Sequence, residues 1–89
     1  MDTDKFLSLC KEKVAEYFNT HADKTLYKKI TENNVFIVWS CKVLQNNKAL
    51  VSTNIPDGMY YEITYNGDKN ELYFDAYKKW ENIKFDVEG

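Results

Sequence analysis

Apolar residues recur at Phe6, Leu7, Cys10, Val14, Tyr17 and Phe18, the three- and four-residue spacing of one helical face, while Lys5, Lys11, Glu12 and Glu16 fall largely elsewhere. Asp2 or Thr3 can cap such a helix. The pattern predicts a helix from the amino terminus that fades near Ala22, where "NTHADKT" brings residues of poor helix propensity.

The period then changes. "VFIVWSCKVL" (35–44) is β-branched and aromatic, as a strand covered on both faces would be, and "QNNK" supplies a turn because Asn tolerates the left-handed conformation. "ALVSTNI" reads as the returning strand, "IPDG" as a second turn, "MYYEITY" as a third strand, "NGDK" as a third turn and "ELYFDAYKK" as a fourth strand. "NIKFDV" reads as a continuation past a bulge or as a fifth strand, although Leu72, Ala76, Trp80, Ile83 and Val87 also fit helical spacing. The expected fold is α+β: one domain over residues 1–89, with an N-terminal helix packed on one face of a four- to five-stranded antiparallel meander sheet.

Strand parity sharpens this picture, because alternate side chains look to opposite faces. With "NN", "PD" and "NGDK" as loops of even length, one face collects Val35, Ile37, Trp39, Cys41, Val43, Leu50, Tyr61, Ile63, Leu72, Phe74 and Ala76, a core for the helix to cover. The other collects Phe36, Val38, Lys42, Leu44, Val51, Ile55, Tyr60, Glu62, Tyr73, Asp75, Tyr77 and Lys79. A bulge or an odd loop would invert everything downstream of it.

The second face is rich in tyrosine for a surface that nothing covers, and three readings account for it. The chain from Trp80 onward, or the 24–33 connection, covers part of it; or it is a protein interface, with another copy or with a foreign partner. The third is stacking of nucleobases on the tyrosines, with Lys42, Lys78 or Lys79 on phosphates, against which Glu62 and Asp75 count. The residues singled out as a binding surface are Phe36, Val38, Tyr60, Tyr73, Tyr77, Lys42 and Lys79.

Composition narrows the chemistry. The formal net charge of −2, from 12 basic and 14 acidic residues, provides no strong long-range field, so nucleic acid is not the expected partner. "MDTDKFLSLC" has acids close to Met1, and no apolar run reaches membrane length, so neither a signal peptide nor a membrane span is expected and the location is read as cytoplasmic. Cys10 and Cys41 read as reduced, small apolar residues. His21 has no second histidine to share a metal with, and the three glycines form no phosphate loop. Neither catalytic residues nor a metal or cofactor is expected, and the chain reads as a binding protein rather than an enzyme.

Through "HADK", "VFIVWSCKVLQNNKALVST" and "DGMYYEITYNGDKNELYFDAYKKW" the chain resembles a family of small proteins of unknown function encoded by phages and prophages of Gram-positive bacteria. The resemblance brings no assigned catalytic or binding residues. It implies an accessory protein made in the bacterial host's cytoplasm, and such proteins often act by binding one host or defence-system protein. The expected function is therefore binding of such a target through the tyrosine-rich face or a strand edge, with self-association as a further expectation. The alternative is a protein that sequesters a small nucleotide-like ligand between tyrosines.

Overall fold

The computed structural model describes all of Met1–Gly89. Helix α1 spans Thr3–His21, and the Asp2 carboxylate caps it by accepting a hydrogen bond from the Lys5 amide at 2.8 Å. Its buried residues, Phe6, Cys10, Val14, Ala15 and Phe18, form the stripe that the spacing implies. The helix stops where Ala22 turns to extended backbone, its N–H still donating to the Phe18 carbonyl at 2.8 Å.

The connection to the sheet is fixed by one side chain. Asn19 accepts from the Ile30 amide at 2.8 Å and donates to the Ile30 carbonyl at 2.9 Å. With both backbone groups satisfied, Ile30 can bury its side chain in the core beneath α1. Tyr27 packs edge-on to Phe18, with ring centroids 5.8 Å apart, so this connection is anchored on the helix side of the sheet.

One turn of 3-10 helix, Glu32–Asn34, leads into four strands: β1 (Val35–Val43), β2 (Asn46–Thr53), β3 (Met59–Asn66) and β4 (Glu71–Lys78). They pair antiparallel in chain order, so β1 and β4 are the two edges. Ala49, Val51, Tyr61 and Ile63 from the two central strands meet the helical stripe and form the middle of the core.

Two hairpin turns differ from expectation in position. The β1–β2 turn is Leu44–Gln45, with Leu44 at φ 56°, because Asn46 and Asn47 belong to β2. Asn46 accepts a hydrogen bond from the Gly67 amide at 2.9 Å, and Asn47 is buried between Lys42 and Tyr65 in the sheet register. The β3–β4 loop is Gly67–Asn70, with Asn70 at φ 53°. The turns lie against one another: a Cβ on Gly67 would stand 2.1 Å from the Gln45 carbonyl oxygen, so only glycine fits there. Gln45 also donates to the Asp68 carboxylate.

The parity of the sheet is broken twice. Ile37 pairs with Val51 but Trp39 pairs with Leu50, leaving Val38 as an extra, bulged residue. The loop from β2 to β3, residues 54–58, is odd in length. The two odd steps cancel between Val35–Ile37 and β3, so Val35, Ile37, Tyr61, Ile63, Leu72, Phe74 and Ala76 lie on the helix side as expected. Between those steps the assignment inverts. Trp39, Cys41, Val43 and Leu50 lie on the open side, whereas Ser40, Lys42 and Val51 lie on the helix side. Lys42 therefore leaves the proposed binding surface; its ammonium donates to the Met1 carbonyl at 3.2 Å. Leu44 sits at the tip of a turn, and Ile55 is in the 54–58 loop, packed against the core.

The fifth strand is not formed, nor is the helical alternative. The Lys79 amide donates to Gly58 at 2.7 Å, carrying the chain straight past the end of β3, and Trp80–Gly89 takes up no regular structure.

Because Val38 is the inserted residue, its deletion is expected to regularise β1 and preserve the fold, with urea unfolding still cooperative and stability within about 1 kcal/mol of the parent. Deleting Val51, which has no such redundancy, is expected to turn the end of β2 over and abolish the cooperative transition.

Candidate functional site: the open face of the sheet

A single helix is about 10 Å across and four strands at about 4.8 Å spacing are wider, so α1 covers the β1 to β3 part of one face, and the opposite face has no helix over it. That open face is built in cross-strand rows. Trp39, Leu50, Glu62 and Asp75 form one row; Cys41, Lys48, Thr64 and Tyr73 form the next. Toward one end lie Phe36, opposite Ser52, and Tyr60, opposite Tyr77. The β1 side is thus mainly apolar, with Phe36 48% and Trp39 45% exposed, and the β4 side alternates tyrosine with carboxylate.

Tyr60 and Tyr77 stack nearly parallel, centroids 5.1 Å apart and planes 14° from parallel, an arrangement that the directly opposed strand positions impose. The stack is already closed, so a planar ligand could lie only on its outer surface. Lys48 and Glu62 form an ion pair at 3.2 Å, and the remaining carboxylates, Glu71 and Asp75, give the β4 side a negative character. Its effect is visible on the phenols. A hydrogen bond to Glu71, reinforced by its charge, holds Tyr73 above the ordinary tyrosine range. Asp75, then desolvation and Glu62, raise Tyr77.

Of the residues expected at this surface, Phe36, Tyr60, Tyr73 and Tyr77 share the open face, Val38 is exposed at the bulge, and Lys79 lies just past β4, beside a cavity of about 260 Å³ that Ser52 and Tyr60 also line. Lys42 is on the other side. Trp39 and Leu50 were missed as members because nothing in an apolar run marks which residue is the inserted one. The tail does not cover the face: Trp80 is 97% exposed and Phe85 78%.

The helix side holds a second feature. Lys13, Glu16, Tyr17 and Thr20 of α1 and Leu72 and Phe74 of β4 line an open groove of about 450 Å³, because α1 lies over β1 to β3 and reaches β4 through Tyr17, 5.2 Å from the Phe74 ring. The width of four strands against one helix was the sequence signal for it. His21 stacks on Tyr17 at 4.0 Å and its Nδ1 donates to the Tyr17 carbonyl at 2.9 Å, which makes it a helix-end packing residue. No group of three or more His, Cys, Asp or Glu side chains gathers as a metal site would require, and no helix is long and apolar enough to cross a membrane.

Two buried acids are held protonated. Burial pushes the Cys10 thiol up to about 12, and burial, with Asp57 and Tyr17 nearby, pushes Tyr61 up to about 12. Their ordinary values are 9.0 and 10.0, so the unfolded chain releases these protons first; the stabilisation is complete below about pH 9 and is lost as pH rises toward 12. The urea midpoint is therefore expected to fall across that window, with Tyr61→Phe flattening the fall. A thiol reagent at neutral pH is expected to modify Cys41 alone in the folded protein and both cysteines after unfolding.

No curated protein and no solved structure matches the chain. Residues 7–87 match the family of unknown function DUF6275, a span that takes in the helical stripe from Cys10 onward, all four strands and most of the tail. The chain belongs to that family.

Proposed function

We propose that the protein is a non-enzymatic binding protein whose open sheet face receives a host or defence-system protein in the bacterial cytoplasm. One observation carries the reading: Phe36, Trp39, Tyr60, Tyr73 and Tyr77 share a face that neither the helix nor the rest of the chain covers. Large aromatic side chains with a polar end supply contact area at low entropic cost and are enriched at interface centres. The resemblance to proteins of phages and prophages supplies the class of target, as an accessory product acting on a bacterial component. With Glu62 paired to Lys48, the carboxylates Glu71 and Asp75 on the same side disfavour nucleic acid and favour a partner with a basic patch.

The reading is of binding rather than catalysis because the most strongly shifted groups, Cys10 and Tyr61, are buried and held protonated, which makes neither a nucleophile at neutral pH. The second reading, a nucleotide-like ligand, is favoured by the cavity where Tyr60 and Lys79 adjoin Ser52, with a ring to stack on and an ammonium for a phosphate.

Tagged protein incubated with lysate of a Gram-positive host is expected to retain one protein that Tyr60→Ala with Tyr73→Ala releases, while circular dichroism stays unchanged. Retention unaffected by the double substitution sinks the reading. A thermal-shift series with nucleoside phosphates separates the alternative: a midpoint that rises with nucleotide, and no longer does so in Lys79→Ala, favours the ligand.

A further inference from the structure

The carboxy-terminal segment carries a strand's pattern without a strand's pairing. Ile83, Phe85 and Val87 alternate with Lys84, Asp86 and Glu88, yet Ile83 is 59% and Val87 83% exposed, and Trp80 and Phe85 more so or nearly as much. At the other side of the sheet β1 is a free edge, with backbone donors and acceptors unpaired. Beyond the bulge, Trp39, Cys41 and Val43 point to the open face and Ser40 and Lys42 to the helix side, the same alternation of apolar and polar over five residues.

We propose that the Trp80–Val87 segment of each molecule adds as a strand to the Trp39–Val43 edge of a second copy, giving a dimer by reciprocal exchange. Length permits it: the eight residues Trp80–Val87 at about 3.3 Å each extend roughly 26 Å, enough to run along the five residues Trp39–Val43, roughly 17 Å. Return to its own sheet is disfavoured by the Lys79 to Gly58 hydrogen bond, which sends the chain onward along β4, away from the turn a hairpin needs. Charge selects β1 over β4. Lys42 is the only charged residue of β1, whereas β4 carries Glu71 and Asp75 with Lys78, and the segment carries Glu81 and Asp86 with Lys84, so a net negative strand meets a positive edge. In an added strand Ile83, Phe85 and Val87 fall on one face and Trp80 on the other, so both faces of the joined sheet gain apolar contact beside β1. This inference shares Trp39 with the target reading but uses the backbone edge of β1 and the segment, so Trp80 and Phe85 test it apart from Tyr60 and Tyr73.

The test uses the full chain. Light scattering of the native protein at about 100 µM is expected to give twice the 10.5 kDa chain mass. Trp80→Glu with Phe85→Glu is expected to weaken the dimer at least tenfold with circular dichroism unchanged, because both side chains are exposed in the single chain. Ile83→Cys and Val87→Cys, each made with Cys41 present, are expected to yield a disulfide-linked dimer under mild oxidant that Cys41→Ser abolishes; Cys10 is buried and stays out of the reaction. A monomeric native mass overturns the proposal, as does a bond to Cys41 within one chain, or a linked dimer that persists without Cys41.

Discussion

Everything in this molecule follows from a single helix closing a single face. The stripe of Phe6, Cys10, Val14 and Phe18 presses on Ala49, Val51, Tyr61 and Ile63, and almost all of the fully buried side chains belong to that contact. None of the residues 1–89 covers the other side of the sheet, which therefore stands open with Phe36, Trp39, Tyr60, Tyr73 and Tyr77 on it. The side is uneven in polarity. Apolar residues collect near β1 and carboxylates near β4, which gives the face a direction instead of a uniform coat.

The helix was legible because its apolar spacing, its Asp2 cap and the polar run after His21 agree with one another. The four strands were legible for the same reason, since β-branched and aromatic runs alternate with turn residues. The sides of β3 and β4 came out correctly, and with them Tyr60, Tyr73 and Tyr77. What failed was counting. Val38 is β-branched and apolar like its neighbours, so no residue type marks it as the inserted one. Pro56, Asp57 and Gly58 announce a turn but do not reveal that the loop runs from Asn54, with an odd number of residues. Lys42 and Val51 were misassigned through those two steps, and Trp39 and Leu50 were hidden by them.

The tail is a different case. Its residues alternate as a strand does and also fit a helical period, and both patterns require a surface to pack on that a lone chain of this fold does not offer at the end of β4. Local pattern specifies a secondary structure only where a tertiary partner completes it, and Ile83, Phe85 and Val87 show the dependence directly.

The contact between Gly67 and the Gln45 carbonyl reaches beyond the geometry of two turns. It ties the hairpin β1–β2 to the hairpin β3–β4 at their tips, although the two are separated in the chain by the whole of β2 and β3. The atoms in the way are the backbone carbonyl and Cβ of residue 45, which nearly every residue carries, so glycine at 67 should persist among relatives whatever side chain stands at 45. A lineage that gains a side chain at 67 must have moved the backbone of the facing turn, which makes that single position a marker of which members of the family keep this end of the sheet closed.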